Sequence, residues 1–131
     1  MTDAQPQSMP APLPPEEAQA RLQRLAERIS AHGCRDLEIN AAVVATDHRR
    51  GGHVANLFNA VPQLRANRAA LDADRDGVFE THEAGGAYLA AATLLSRGVT
   101  LDRIDPNSQD FQSLLREKCR QVERGGSGQC R

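Results

Sequence analysis

Residues 72–83, DADRDGVFETHE, are the stretch on which the interpretation of this chain depends. They contain five carboxylates and a single base, Arg75, so the net charge of the stretch is −4. The whole chain has a net charge of −1, and the other residues therefore sum to +3. Two like charges about 4 Å apart repel by roughly 1 kcal/mol in water and by about 4 kcal/mol near a protein surface. Five acids gathered in this way indicate a bound cation that offsets their repulsion.

The order of the acids follows the spacing D-x-D-x-D-G, in which alternate carboxylates converge as a loop winds around an ion. Ca²⁺ takes six to eight oxygen ligands at about 2.3–2.6 Å. Gly77 stands where the chain must turn sharply, and the last acid of the stretch can bind with both of its oxygens. The predicted ligands are the carboxylates of Asp72, Asp74, Asp76, Glu80 and Glu83 and the backbone carbonyl of Val78.

This spacing resembles the calcium loop of the EF-hand family, with no departure at loop positions 1, 3, 5, 6 or 12. The resemblance covers about residues 62–95 and implies a helix–loop–helix unit that binds Ca²⁺. Asn67 and Arg68 depart from it, because the family has apolar residues at those positions of the entering helix. Two alternatives to a calcium loop are a solvated acidic turn between helices and a similar turn in a different metal-binding fold.

The rest of the sequence predicts an all-α fold with about five helices. Apolar residues recur at helical spacing, strand-like alternation is absent, and aromatic residues are few: three Phe, one Tyr and no Trp. The five predicted helices run from Pro15 to Gly33, from Asp36 to Gly51–Gly52, from His53 to Leu71, from the end of the acidic loop to Gly98, and from near Asp105–Pro106 to Gly125. Pro62 is expected to kink or restart the third helix, because proline disrupts a helix interior.

The chain is long enough for one domain with a modest core. Residues 1–14 are rich in Pro, Gln and Ala and are predicted to form a disordered arm. Residues 15–124 form the predicted helical domain, which contains the EF-hand unit. Residues 125–131 are a Gly- and Ser-containing tail that we expect to be flexible.

A second calcium loop would be expected upstream, because EF-hands normally occur in pairs. Residues 36–47, DLEINAAVVATD, offer oxygen-bearing side chains at loop positions 1, 3, 5 and 12. However, Ala41 stands where the loop requires glycine, and the segment also has the pattern of an amphipathic helix capped by Asp36. We favour the helix over a degenerate loop and predict one Ca²⁺ per chain.

No catalytic constellation is present, so the sequence predicts a protein that is not an enzyme. A nucleophile elbow and a phosphate loop are both lacking, and the histidines match no common zinc spacing. Cys119 falls on an apolar helix face and is predicted to be a buried small residue. The basic residues form no clustered excess, which argues against a nucleic-acid partner.

Other features bear on location and assembly. An odd count of three cysteines fits a reducing compartment, and neither a Sec signal nor an apolar run of membrane-spanning length is visible, so we expect a cytoplasmic protein without a membrane partner. Phe79 occupies the loop position that EF-hands use to contact a partner loop. We expect another helix of the same chain to cover the Phe79 side chain, and we therefore favour a monomer over a homodimer formed through the loop.

Two functions follow from these predictions, and we favour the first, with the second as the alternative. In the first, the chain is a Ca²⁺-responsive binding module, in which the ion moves the helices that flank the loop and exposes a surface for a protein partner whose identity the sequence does not give. Pro62, Gly85 and Gly86 favour this hypothesis because they would permit motion. In the second, the chain is a helical scaffold and the ion is purely structural, which the absence of a paired loop favours.

Overall fold

The computed structural model describes residues 13–32, 53–77 and 81–123. These ranges contain five α-helices and two short 3₁₀ helices and no strand, which confirms the predicted all-α class. The predicted helix at residues 36–50, most of the arm and the tail lie outside the described residues. The elements are α1 (Pro15–His32), α2 (His53–Ala60), α3 (Pro62–Ala66), η1 (Arg68–Leu71), α4 (Thr81–Ser96), η2 (Leu101–Arg103) and α5 (Gln109–Glu123).

Helix α4 lies at the centre of the described fold. Every residue from Glu83 to Leu94 is buried, and the helix packs mainly against α5 and α1 and also against α2. After Glu83 its sequence has no charged side chain, and a helix that is apolar on all sides is suited to a fully buried position. The hydroxyl of Thr93 is satisfied inside the helix, since it donates to the Leu89 carbonyl at 2.7 Å.

The two outer helices are amphipathic, as the residue spacing predicts. The apolar face of α1 and that of α5 both turn toward α4 and join one continuous core. Acidic residues in the first turn of α1 are favourable at the positive end of the helix dipole. The predicted face residues that are buried are Ala18, Leu22, Leu25 and Ile29 in α1 and Phe111, Leu114, Leu115, Cys119 and Val122 in α5.

The segment that enters the acidic loop restarts at Pro62, which is one of the two predicted outcomes, but its second half does not run as one helix to Leu71. Val61, at φ −133° and ψ 82°, separates α2 from α3, because a residue before proline disfavours helical geometry. Pro62 therefore restarts the helix. Asn67, at φ −120° and ψ 41°, then ends α3 after one turn, and the chain continues as the 3₁₀ helix η1. Arg68 lies exposed, with its guanidinium carbon 5.9 Å from the centroid of the Phe58 ring.

Helix α5 also begins later than the predicted start near Asp105–Pro106. The Ser108 hydroxyl accepts a hydrogen bond from the Phe111 amide at 3.1 Å, which is the geometry of a helix N-cap. Asp105 instead closes a turn, with its carboxylate accepting from the Asn107 amide at 2.9 Å. The N-cap at Ser108 sets the first helical residue at Gln109.

Gly86 lets α4 and α5 approach closely. A Cβ atom added to Gly86 would lie 2.5 Å from the Cys119 Sγ and 2.8 Å from the Cys119 backbone nitrogen. Gly86 is therefore a packing residue at the contact between α4 and α5. Cys119 is buried, as predicted, and burial together with the negative charge of Glu83 raises the pKa of its thiol to about 12.

The end of the predicted arm is attached to the fold. The Leu13 amide donates to Asn56 Oδ1 at 2.8 Å, and the Leu13 carbonyl accepts from Asn59 Nδ2 at 2.8 Å. The Leu13 side chain is half-buried against the core. The ordered packing thus includes Leu13, two residues before α1.

Among the described helices, none combines the length and apolarity needed to cross a membrane.

Candidate metal centre

The acidic loop begins where the core ends. Leu71, the last residue of η1, is fully buried, and Asp72 follows it directly. The Asp72 backbone carbonyl accepts from the Arg75 amide at 3.3 Å, and Asp72 Oδ2 accepts from the Gly77 amide at 2.7 Å. These two bonds turn the chain back over Asp72.

Two residues in this turn have left-handed backbone geometry. Gly77 has φ +83°, which glycine adopts without steric cost, and this agrees with the predicted sharp turn. Arg75 has φ +59°, an uncommon value for a residue with a Cβ atom. The aspartates on either side of Arg75 offer oxygen atoms that lie within 4.8 Å of each other.

Four carboxylates meet at this turn. Asp72, Asp74, Asp76 and Glu83 each offer an oxygen atom, and these four atoms all lie within 4.8 Å of one another. The Asp74 amide donates to Glu83 Oε2 at 3.3 Å, so the first turn of α4 is joined directly to the loop. The four residues form an acidic group that can hold a metal ion. The other two predicted ligands, Val78 and Glu80, lie outside the described residues.

The four acids differ in their exposure. Glu83 is fully buried, Asp72 is half-buried, and the other two are exposed. A buried carboxylate is costly unless other groups compensate its charge. Glu83 lies in the first turn of α4, where the helix dipole favours an anion. This arrangement places the most deeply buried negative charge at the inner side of the group.

One oxygen of the group is buried without a partner. Asp72 Oδ1 has no hydrogen-bond partner among the described residues, whereas Asp72 Oδ2 is bonded to the Gly77 amide. Leaving a buried acceptor unsatisfied costs about 1–3 kcal/mol, and more when the group is charged. A cation among the four carboxylates would satisfy this oxygen.

The chemistry of the donor set fits a hard divalent cation. All four groups are oxygen donors, which suit Ca²⁺, Mg²⁺ or Mn²⁺ better than softer metals. Desolvation raises the pKa of the Asp74 carboxyl, but hydrogen bonding that includes the bond from the Asp76 amide outweighs it, so this pKa lies below its usual value. A lowered pKa keeps Asp74 ionised and available as a ligand.

Two glutamines that no sequence motif predicted support the entering side of the loop. Gln112 Nε2 donates to the carbonyls of Ala70 at 2.8 Å and Pro106 at 2.7 Å. Gln63 Nε2 donates to the carbonyls of Leu101 at 2.7 Å and Ile104 at 2.9 Å. No local pattern marks these residues, because both join parts of the chain about 40 residues apart.

Comparisons of the chain with protein-family models, curated proteins and solved structures found no match. The resemblance to the EF-hand family therefore stands on the spacing of residues 72–83 and on the local geometry of the four carboxylates.

Proposed function

We propose that this chain is a calcium-binding helical protein with one site in residues 72–83, and that the bound ion is structural. The observation that carries the proposal is the convergence of Asp72, Asp74, Asp76 and Glu83, with one Asp72 oxygen buried and unsatisfied. The proposed role is binding without catalysis.

Calcium is the preferred ion because of the number and the arrangement of the oxygens. The four carboxylates would be joined by Glu80 and the Val78 carbonyl if the loop follows the predicted ligand order. Such a set reaches six or more oxygens when Glu83 binds with both of its oxygens, and Ca²⁺ accepts this number in flexible geometry. Mg²⁺ requires a near-ideal octahedron and retains its water, so we expect it to bind more weakly.

The burial of α4 favours a structural ion over a Ca²⁺-responsive module. To expose an apolar surface, α4 would have to separate from α1, α2 and α5, against which it is buried along most of its length. Gly86 and Cys119 hold α4 at close range to α5. The entering segment is also restrained, because Gln63 bonds it to the connection between α4 and α5, and Gln112 bonds it to α5. These contacts on both sides of the loop support a structural role for the ion.

The ion would instead join the two sides of the loop. Asp72 belongs to the end of the entering segment, and Glu83 belongs to α4. A cation shared by both residues compensates a fully buried carboxylate and fixes the loop against the core. We further propose that the chain is a monomer in solution, with Phe79 covered within the chain.

Calorimetric titration with Ca²⁺ and Mg²⁺, carried out side by side, tests the proposal. We expect one Ca²⁺ per chain, with a dissociation constant on the order of 10⁻⁷–10⁻⁵ M, and much weaker binding of Mg²⁺. Glu83→Gln should weaken Ca²⁺ binding at least about tenfold, which corresponds to 1.4 kcal/mol. The matched control is Glu27→Gln, which removes the same charge from the exposed surface of α1 and should leave binding unchanged.

Three results would contradict the proposal. The absence of binding heat in the wild type would leave the acidic group as a solvated turn. Equal weakening by Glu83→Gln and Glu27→Gln would mean that only net charge matters. A stoichiometry of two would require a second site and would revive the alternative of a loop at residues 36–47.

A further inference from the structure

Gln112 connects the start of α5 to the last turn of the segment that enters the acidic loop. Its Nε2 atom donates to the Ala70 carbonyl at 2.8 Å and to the Pro106 carbonyl at 2.7 Å. Carbonyls at the end of a helical segment lack partners within that segment. Gln112 therefore supplies the partner that the end of η1 cannot provide for Ala70.

The bonded carbonyl is close to the first metal ligand. Ala70 lies two residues before Asp72, and the residue between them, Leu71, is fully buried in the core. The Asp72 amide also donates to the Ala69 carbonyl at 3.2 Å. The two residues just before Asp72 are thus both fixed: the Leu71 side chain is buried in the core, and the Ala70 carbonyl is bonded to Gln112.

We infer that Gln112 is a positioning residue for the calcium site, an inference that rests on the proposed function. By fixing the carbonyl of Ala70, Gln112 limits the directions in which the chain can leave η1 and enter the loop. Asp72 Oδ1 is then held in its buried position before the ion arrives. Ordering the loop in advance removes part of the conformational entropy that ion binding would otherwise cost.

Gln63 provides an internal control of the same chemistry. Its Nε2 atom also donates to two carbonyls, those of Leu101 and Ile104, and these bonds are also partly buried. Gln63, however, is in the first turn of α3, nine residues before Asp72, and its acceptors are in the connection between α4 and α5. Loss of either glutamine should cost similar stability, but only loss of Gln112 should directly disturb the first ligand.

The test compares Gln112→Met with Gln63→Met in the full chain, since methionine keeps the length of the side chain and removes the donor. We expect similar decreases in the melting temperature of the two variants in chelator. Calorimetry should show that Gln112→Met weakens Ca²⁺ binding by about fivefold to tenfold, the factor expected for about one net hydrogen bond. Gln63→Met should change the dissociation constant by less than about twofold.

Equal dissociation constants for the two variants would overturn the inference while leaving the proposed function intact. Absence of Ca²⁺ binding by the wild type would overturn both. If Gln112→Met does not fold, the test is instead hydrogen exchange of the backbone amides of the wild type, measured with and without Ca²⁺. Ca²⁺ should then slow exchange at Phe111 and Gln112, whose amides bond to Ser108, together with exchange at Gly77. Slowing at Gly77 without any change at Phe111 and Gln112 would overturn the inference.

Discussion

The two sides of the acidic loop are anchored by different physical means. On the exiting side, α4 is one continuous helix that is buried from Glu83 to Leu94, so non-directional apolar packing holds it. On the entering side, α3 and η1 are single turns with one fully buried residue each, Leu64 and Leu71, and side-chain amides with directional hydrogen bonds also hold them. The comparison indicates that continuous apolar packing fixes the exiting side, whereas a few apolar anchors and directional hydrogen bonds fix the entering side and, with it, the geometry of the site.

The largest expected effect concerns the single apolar anchor of η1. Leu71→Ala should destabilise the protein by about 2–5 kcal/mol, because Leu71 is fully buried and its removal leaves a cavity. Urea unfolding measures the change. Leu95→Ala is the matched control, since Leu95 is only partly buried at the end of α4 and should cost clearly less. Equal costs would mean that Leu71 does not anchor the entering side.

Removal of the ion should have the next largest effect. An ion that binds only the folded state adds about 2.7 kcal/mol of stability at 100 times its dissociation constant. Chelation should therefore lower the melting temperature of the wild type by several degrees. Asp72→Ala should abolish this dependence on Ca²⁺. A wild-type melting temperature that is indifferent to both Ca²⁺ and chelator would contradict a structural ion.

On the exiting side, Gly86→Ala tests the close contact with α5. Alanine is a better helix former than glycine by about 1 kcal/mol, so an exposed glycine would gain stability from this change. Here the added methyl group meets Cys119 Sγ and the backbone nitrogen of Cys119, and we expect a net loss of about 1–3 kcal/mol. Cys119→Ala in the same chain should recover part of the loss. A stabilised Gly86→Ala variant would show that α4 and α5 are not closely packed there.

A smaller loss is expected at the start of α5, where Ser108 is the N-cap. Ser108→Ala should cost about 1 kcal/mol, because the Phe111 amide loses its acceptor. Ser113→Ala, at an exposed position inside the same helix, is the control and should not destabilise the protein. Equal unfolding free energies for the two variants would argue against the cap.

The smallest effect on stability at neutral pH concerns Cys119. Burial first, and then the charge of Glu83, raise the pKa of its thiol to about 12 from the ordinary 9.0. The stability that this shift contributes is fully present below pH 9 and is lost as the pH rises toward 12. At pH 8 the native thiol should resist alkylation while the unfolded thiol reacts, as mass spectrometry of the peptide that contains Cys119 can measure. Equal rates would mean that α4 and α5 separate readily.

The sequence predicted those parts of the fold and the site that depend on local pattern. The apolar faces of α1 and α5 follow from residue spacing, and the turn at Gly77 follows from its place after three alternating aspartates. Asn67 ends α3 through a backbone conformation that its residue type does not dictate. The sequence did not predict the roles of Gly86 and Gln112, because each role is a contact between α5 and a distant part of the chain. Gly86 of α4 packs against Cys119, and Gln112 of α5 bonds to Ala70 of η1.

The measurement that tests the central claim most directly is the binding of a dye specific for exposed apolar surface, with saturating Ca²⁺ and with chelator. A structural ion predicts that dye fluorescence with Ca²⁺ is no greater than with chelator, because α4 remains buried in both states. Glu83→Gln should give the chelator value whether or not Ca²⁺ is added. A rise in fluorescence on addition of Ca²⁺ to the wild type, absent in Glu83→Gln, would contradict the structural role and support a Ca²⁺-responsive module.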